Sequence, residues 1–396
     1  MRENLRLIVL GSMGRIPFAG MAWETLHYLE GLRRLGHDVF YVEDTNAWPY
    51  DPELDSSSPN CRHAVEYIAG VMTWAGMSDR WAYRAAEPDS TVYGMSETRF
   101  AQLFQDADAL INHAGATRLR DEHLGVPIRA LLETDPGSAE ILAVRRDPET
   151  LDMVSAHTHF FDWAENLGAP DCRLPVGLVA YQPTHMPVVL DWFAPSPVGK
   201  VNGHRSPYLR FTTIANWYQP GEIEWEGETY VWSKHPQFLN YLELPRQLGR
   251  PVELSLGSID EEAIRLLESH GWLIVDPEPF GTDILHFRDY ILESDGEFTV
   301  SKDQYVRLRT GWFSDRSAYY LAAGKPVITQ DTGFGCFLPT GRGLFGFNTM
   351  DDVLDAFEQV ECDYGRHSRA AREIAEEHFQ AETVLAKLIE SLGATA

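Results

Sequence analysis

The residues richest in chemistry lie between Ser301 and Asp331, SKDQYVRLRTGWFSDRSAYYLAAGKPVITQD. An apolar run, Phe298-Thr299-Val300, precedes them and reads as a strand. Lys302, Arg307 and Arg309 follow as a cationic loop. The spacing then predicts a helix that opens at Thr310-Gly311 and closes in Ala-Ala-Gly-Lys-Pro. A strand, a cationic loop and a helix start together make an anion trap, because backbone N–H groups and the helix dipole favour negative charge. Arg and Lys add charge and bidentate donors. Such a trap suits the diphosphate of a nucleotide-activated substrate. Its candidate ligands are Ser301, Lys302, Arg307, Thr310, Gly311, Trp312, Ser314, Asp315 and Arg316. Gly311 permits close backbone approach. Trp312 either stacks on a base or fills core. Lys302 and Arg307 also admit a plainer role, pairing with an acidic surface.

A second group of candidates lies in the first half of the chain. His113 follows the run Leu110-Ile-Asn112, and a histidine there suits a base or a donor to a sugar hydroxyl. It can equally satisfy a backbone carbonyl. Glu133 and Asp135 flank Thr134, and in extended backbone residues i and i+2 project to one side. Both carboxylates then face one pocket, unless Asp135 caps a helix instead. Gly11, Gly14, Arg15 and Gly20 punctuate the loop GSMGRIPFAG, which is not a G-x-G-x-x-G fingerprint. His157, His159 and Glu165 are of metal-ligand type, but H-x-H alone is a weak zinc signal. Asp106-Ala-Asp108 reads as a cap before a strand.

These residues need a scaffold. Leu5–Leu10 is a compact apolar strand, Met21 to Leu35 an amphipathic helix stopped by Gly36, and Asp38–Glu43 a second strand. That β-loop-α-β unit implies a parallel sheet with a right-handed crossover. The pattern recurs: a helix at Phe100–Asp106, strands at Ala109–Asn112 and Pro127–Leu132, and a loop from Asp44 to Asn60. Tyr181 to Pro207 is proline-rich and reads as an interdomain connection. After it the strand pattern restarts at Phe211–Ala215, and GEIEWEGETYVW reads as an inserted hairpin turning at Glu226-Gly227. Strands at Val252–Leu256 and Trp272–Val275 alternate with helices, and three helices, from Met350, Tyr364 and Ala381, finish the chain. The expected domains are an N-terminal Rossmann-like unit over 1–205, a C-terminal one over 206–380, and a last helix over 381–396 returning to the first. The fold class is α/β, two doubly wound halves facing a cleft.

At 396 residues the chain is long enough for two such cores. No apolar run approaches the length of a bilayer span, and Met1-Arg2-Glu3-Asn4 leads into a strand without a signal-peptide core. Four scattered cysteines read as reduced thiols, so a cytoplasmic location is expected. A net charge of −26 argues against nucleic acid as partner and is compatible with a neutral or cationic small-molecule acceptor.

With this layout, the chain resembles nucleotide-sugar glycosyltransferases of the GT-B fold. Leu32-Arg-Arg-Leu-Gly-His-Asp-Val39 resembles their helix, Leu-Gly-His-x-Val, strand opening. Leu321-Ala-Ala-Gly-Lys-Pro-Val327 resembles their donor-domain Ala-x-Gly-x-Pro-Val stretch. The resemblance is to an uncharacterised bacterial subgroup related to the retaining E-x7-E family. It implies sugar transfer from a nucleotide-sugar held by the C-terminal half, with no cofactor and no metal. It also implies that the Gly11, Gly14 and Arg15 loop faces the cleft. Aligning on Gly324-Lys-Pro-Val327 puts Gly311 and Tyr319 where the family has its two glutamates. Asp315 and Arg316 are then the candidates to take over ribose or phosphate contacts. His113, Glu133 and Asp135 are the catalytic candidates. The alternatives are an epimerase or hydrolase of the same fold and a catalytically silent sugar-nucleotide-binding protein.

Overall fold

The computed structural model describes residues 4–195, 208–277 and 281–393. Residues 196–207 of the proline-rich connection, with the expected boundary at 205 and 206, lie outside them, as do 394–396 of the last helix. Two parallel sheets organise the chain. The first has eight strands in the order Gln182–Pro183, His159–Asp162, Ile128–Glu133, Ala109–His113, Arg6–Leu10, Asp38–Glu43, Trp81–Arg84, Val92–Tyr93. All its neighbours run parallel except the final pair. Arg6–Leu10 lies mid-sheet, with Leu7 opposite both Val39 and Ala109. Its unbroken apolar run fits burial on both faces, which a parallel sheet covered by helices imposes.

The second sheet has six parallel strands, in the order Leu273–Val275, Glu253–Gly257, Phe211–Asn216, Gly296–Thr299, Val327–Gln330, Leu344–Phe347. The expected hairpin forms from Glu222–Trp225 and Glu228–Val231, antiparallel around Glu226 and Gly227. It interrupts the crossover between Phe211–Asn216 and Glu253–Gly257. The three closing helices are Met350–Cys362, Tyr364–Ile374 and Ala381–Ser391. The loop expected at 44–60 carries a two-residue strand pair, Tyr50–Asp51 with Ser56–Ser57.

The helix Ala19–Arg34 is the bolt between the halves. Trp23 Nε1 donates to the Ile284 carbonyl of the second half at 2.8 Å. Gly31 lets the helix Ala381–Ser391 approach, since a Cβ there would lie 2.4 Å from Leu385 Cδ1. One hydrophobic cluster therefore runs from Leu7 and Trp23 through Tyr319 to Leu385.

The anion-trap segment folds differently from its sequence pattern. The expected cationic loop contains a short helix, Asp303–Leu308, that starts after Lys302 and ends at Arg309 in the left-handed region. The next helix begins at Asp315 and not at Thr310, and runs to Ala322. Gly311 takes φ +80°, a conformation that glycine adopts readily and a helix excludes. The helix can open only once the chain has passed Ser314 in extended geometry.

Candidate active site

Loops from the carboxyl ends of the two sheets meet face to face. Residues 134–137 follow the strand Ile128–Glu133, and 301–314 follow Gly296–Thr299. Trp312 Nε1 donates to the Thr134 carbonyl at 3.0 Å, and Gln304 Nε2 to that of Pro136 at 3.3 Å. Lys302 Nζ lies 2.9 and 2.7 Å from the carboxylate oxygens of Asp135.

Three cations gather along this seam: Lys302, Lys234 and Arg316. Lys234 stands at the start of the helix His235–Asn240 and is buried. Its Nζ donates to Thr299 Oγ1 at 3.3 Å. Burial holds its ammonium well below the ordinary lysine range, and Arg316 and Lys302 push the same way while Glu297 opposes them. Arg316, in the first turn of Asp315–Ala322, has its Nε buried with no hydrogen-bond partner. Glu297 lies beneath them, and burial pushes its carboxyl up to about 7 against the pull of Ser317, Arg316 and Lys234. Ser314 lies at the helix start, with its hydroxyl donating to Asp315 at 3.3 Å. The backbone N–H of buried Ser301 donates to Gln330 Oε1 at 3.3 Å.

His113 ends its strand, buried, with Nε2 3.1 Å from Glu24 Oε1 of the helix Ala19–Arg34. The Tyr28 ring meets it edge-on at 5.0 Å. Glu24 and Asp315 both act on the buried phenol of Tyr319, so the His113–Glu24 pair adjoins the helix that carries Arg316. Glu133 and Asp135 part company. Asp135 is held by Lys302, whereas burial, then Glu140 and Asp135, pushes Glu133 up to about 8. Glu140 and Asp162 are buried beside it, hydrogen-bonded to each other, with burial raising both. Asp135 caps nothing. Gly137 precedes the helix Ser138–Val144, and its N–H donates to Glu140 at 2.6 Å.

Several sequence expectations need correction. Arg307 is not a free anion ligand: it donates to Glu228 at 2.5 Å, Asp303 at 3.0 Å and the Thr229 carbonyl at 2.6 Å, over the Tyr230 ring. Arg309 bonds Asp171 and Asp331. Trp312 is core, stacked on Tyr305 with centroids 4.3 Å apart. Thr310 is buried, its carbonyl taking the Asn166 N–H at 3.0 Å and its hydroxyl that of Trp312 at 3.1 Å. The N–H groups of the glycine loop already have an anion. Gly14 and Arg15 donate to Glu43 at 2.7 and 2.6 Å, and Tyr41 adds its hydroxyl at 2.6 Å. Burial still pushes Glu43 up to about 7. Gly11 and Gly14 sit in close packing, where a Cβ would meet the Tyr41 ring at 2.9 Å and the Ile68 Cδ1 at 2.6 Å.

The metal-type residues do not assemble. His157 contacts the Met153 carbonyl and Asn112, His159 contacts Thr158, and Glu165 contacts His185. Asp106 and Asp108 both bind Arg6. Among the described residues, Asp44, Glu122 and His123 bring ligand atoms within 4.8 Å of one another. The Arg84 guanidinium occupies that position, bonded to both Asp44 and Glu122.

The structure is similar to an α-glucosyltransferase in complex with UDP and a 13-mer DNA, with a TM-score of 0.60 and 11% identity over 98% of this chain and 100% of that one. Anabaena HepE in complex with UDP-glucose gives a TM-score of 0.55 and 10% identity over 98% and 100%. Sucrose-phosphate synthase from Thermosynechococcus elongatus gives 0.55 and 12% over 99% and 100%. The chain has the GT-B fold. No protein-family model matches the sequence, and no curated protein sequence does.

In this GT-B chain Gly311 and Tyr319, the positions where the resemblance to the E-x7-E family would place its two glutamates, are closed by packing. A side chain at Gly311 would start 2.4 Å from the Asn166 backbone nitrogen. Tyr319 is fully buried and stacked on Phe193 at 4.8 Å. Sequence reasoning missed Lys234, Glu24 and Glu297. Glu24 had a signal, a charge inside the apolar face between Trp23 and Leu26. Lys234 had only its place before a helix-opening proline. No helix among the described residues is long and apolar enough to cross a membrane.

Proposed function

We propose that this chain transfers a sugar from a nucleoside-diphosphate donor to a small acceptor. One observation carries the reading: Lys234, Lys302 and Arg316 converge at the carboxyl end of the C-terminal sheet, and the buried Nε of Arg316 has no hydrogen-bond partner. A diphosphate supplies the missing anion and relieves the desolvation that depresses Lys234. Charge builds on the departing diphosphate during transfer, where preorganised cations stabilise it most. Three side-chain cations meet that charge without a metal ion. His113, oriented by Glu24, serves the sugar or acceptor hydroxyl from the N-terminal half. Closed packing between the halves excludes water, which limits hydrolysis of the donor.

UDP-glucose is the first donor to test, since solved structures of similar fold hold UDP or UDP-glucose. One such structure contains DNA, but a charge of −26 favours a neutral or cationic acceptor here. Four free cysteines suit a reducing, cytoplasmic setting. A silent sugar-nucleotide-binding protein is the second reading, favoured by the packed-in Gly311 and Tyr319. Incubation with labelled nucleotide-sugars and an acceptor panel separates the two. The transferase releases nucleotide rapidly only with an acceptor present. Tight binding without release supports the second reading. Absence of nucleotide binding sinks both.

A further inference from the structure

A cavity of about 330 Å³ opens away from the cationic seam, where both halves meet the C-terminal helix. Pockets for small ligands span roughly 300–1,000 Å³, so it fits a compact molecule. Its apolar wall includes Phe161 of the first sheet, Phe337 of the second half and Leu388 of the helix Ala381–Ser391. Its polar groups include His185, His378, Glu165 and Lys387.

The charge of that wall follows from hydrogen-bond chemistry. His185 Nδ1 lies 2.5 Å from Glu165 Oε1, and Nε2 lies 2.7 Å from the His378 carbonyl. The carbonyl only accepts, so Nε2 carries a proton and donates. The contact at Nδ1 holds a second proton, on the ring or on Glu165. Either way the His185–Glu165 pair is neutral as a unit. The ring also stacks on Phe337, 5.4 Å between centroids and 20° between planes. Lys387 and the His378 ring remain. Lys387 forms no ion pair among the described residues. Burial holds the His378 ring below the ordinary histidine range; Glu377 opposes this, and His185 and Lys387 add to it. The cavity thus has an apolar body, a neutralised carboxylate, one ammonium at Lys387 and a His378 ring that burial keeps from charging.

We propose that this cavity binds a small amphipathic monoanion. Its head group sits at Lys387 and His378, and its apolar body lies against Phe161, Phe337 and Leu388. Such an occupant touches both halves and the C-terminal helix at once, so it stabilises their closed packing. Calorimetric titration of the full chain with octanoate, octyl phosphate, octyltrimethylammonium and inorganic phosphate tests it. Octanoate, octyl phosphate or both should bind saturably, one per chain, which also tells a carboxylate site from a phosphate site. The quaternary amine and bare phosphate should not. Lys387→Glu should weaken the anion about tenfold, which is 1.4 kcal/mol. Ser391→Trp, which places a ring at the cavity wall, should abolish binding. Both positions are exposed, and matching thermal melts certify the fold of each variant. Saturable binding of the amine, no binding of either amphipathic anion, or anion affinity unchanged in both variants overturns the proposal.

Discussion

Lys302 Nζ lies 2.7 Å from one carboxylate oxygen of Asp135 and 2.9 Å from the other, joining the two sheets across the seam between the halves. The cation best placed for a phosphate and the carboxylate best placed as a base are therefore each other's partner. The carboxylate competes with any phosphate for that ammonium and repels it. Asp135→Asn should tighten UDP binding by about 1 kcal/mol, roughly fivefold. Calorimetry on the folded variant checks this, and weaker binding would show that the ion pair builds the site and does not occupy it.

Lys234 should show opposite effects on stability and on binding. Its buried ammonium is disfavoured without an anion, so Lys234→Met should raise the melting temperature of the free chain. The same change removes a charge-assisted hydrogen bond worth about 1.5–3 kcal/mol, so UDP affinity should fall roughly 10- to 150-fold. A variant that melts lower and binds UDP like the parent would remove Lys234 from the donor site.

Arg307 serves the hairpin. Arg307→Ala should leave nucleotide affinity within about twofold, since its donors end on Glu228, Asp303 and Thr229. Hydrogen exchange should quicken in Glu222–Val231, where the strand pair loses its anchor. A large loss of nucleotide affinity with unchanged exchange would reverse this assignment.

Three of the buried carboxyl groups contribute a pH dependence of stability through large upward shifts. Burial raises Glu133 to about 8, and Glu43 and Glu297 to about 7. Unfolded glutamates titrate near 4.3, at about that value in any chain. Between those values the folded chain keeps protons that the unfolded chain has lost. The stability these three groups contribute should therefore fall as pH rises from about 4 to 8, then level off. Glu133→Gln should raise the melting temperature at pH 8 and change little at pH 5. Melting curves of both proteins across that range decide it, and parallel profiles would mean that Glu133 ionises normally.

Local pattern carried the architecture. Arg6–Leu10, Asp38–Glu43, the inserted hairpin and the three closing helices each declare themselves through apolar runs, period and turn residues within their own segment. Lys302, His113 and Asp135 could be found because they follow strands, and parallel topology sends the carboxyl ends of strands to one edge. The pairings of those residues could not be found this way. His113 meets Glu24, and Lys302 meets Asp135, 167 positions away, only because one half docks on the other. The anion for the glycine loop is Glu43, on the neighbouring strand. Arg307 looked like a ligand in a linear reading, yet the hairpin carrying Glu228 folds over it. Composition and spacing determined the sheets and the edges at which chemistry gathers. Whether a charge is free, paired or desolvated depends on which distant groups packing brings within a few ångströms, and only the tertiary structure decides that.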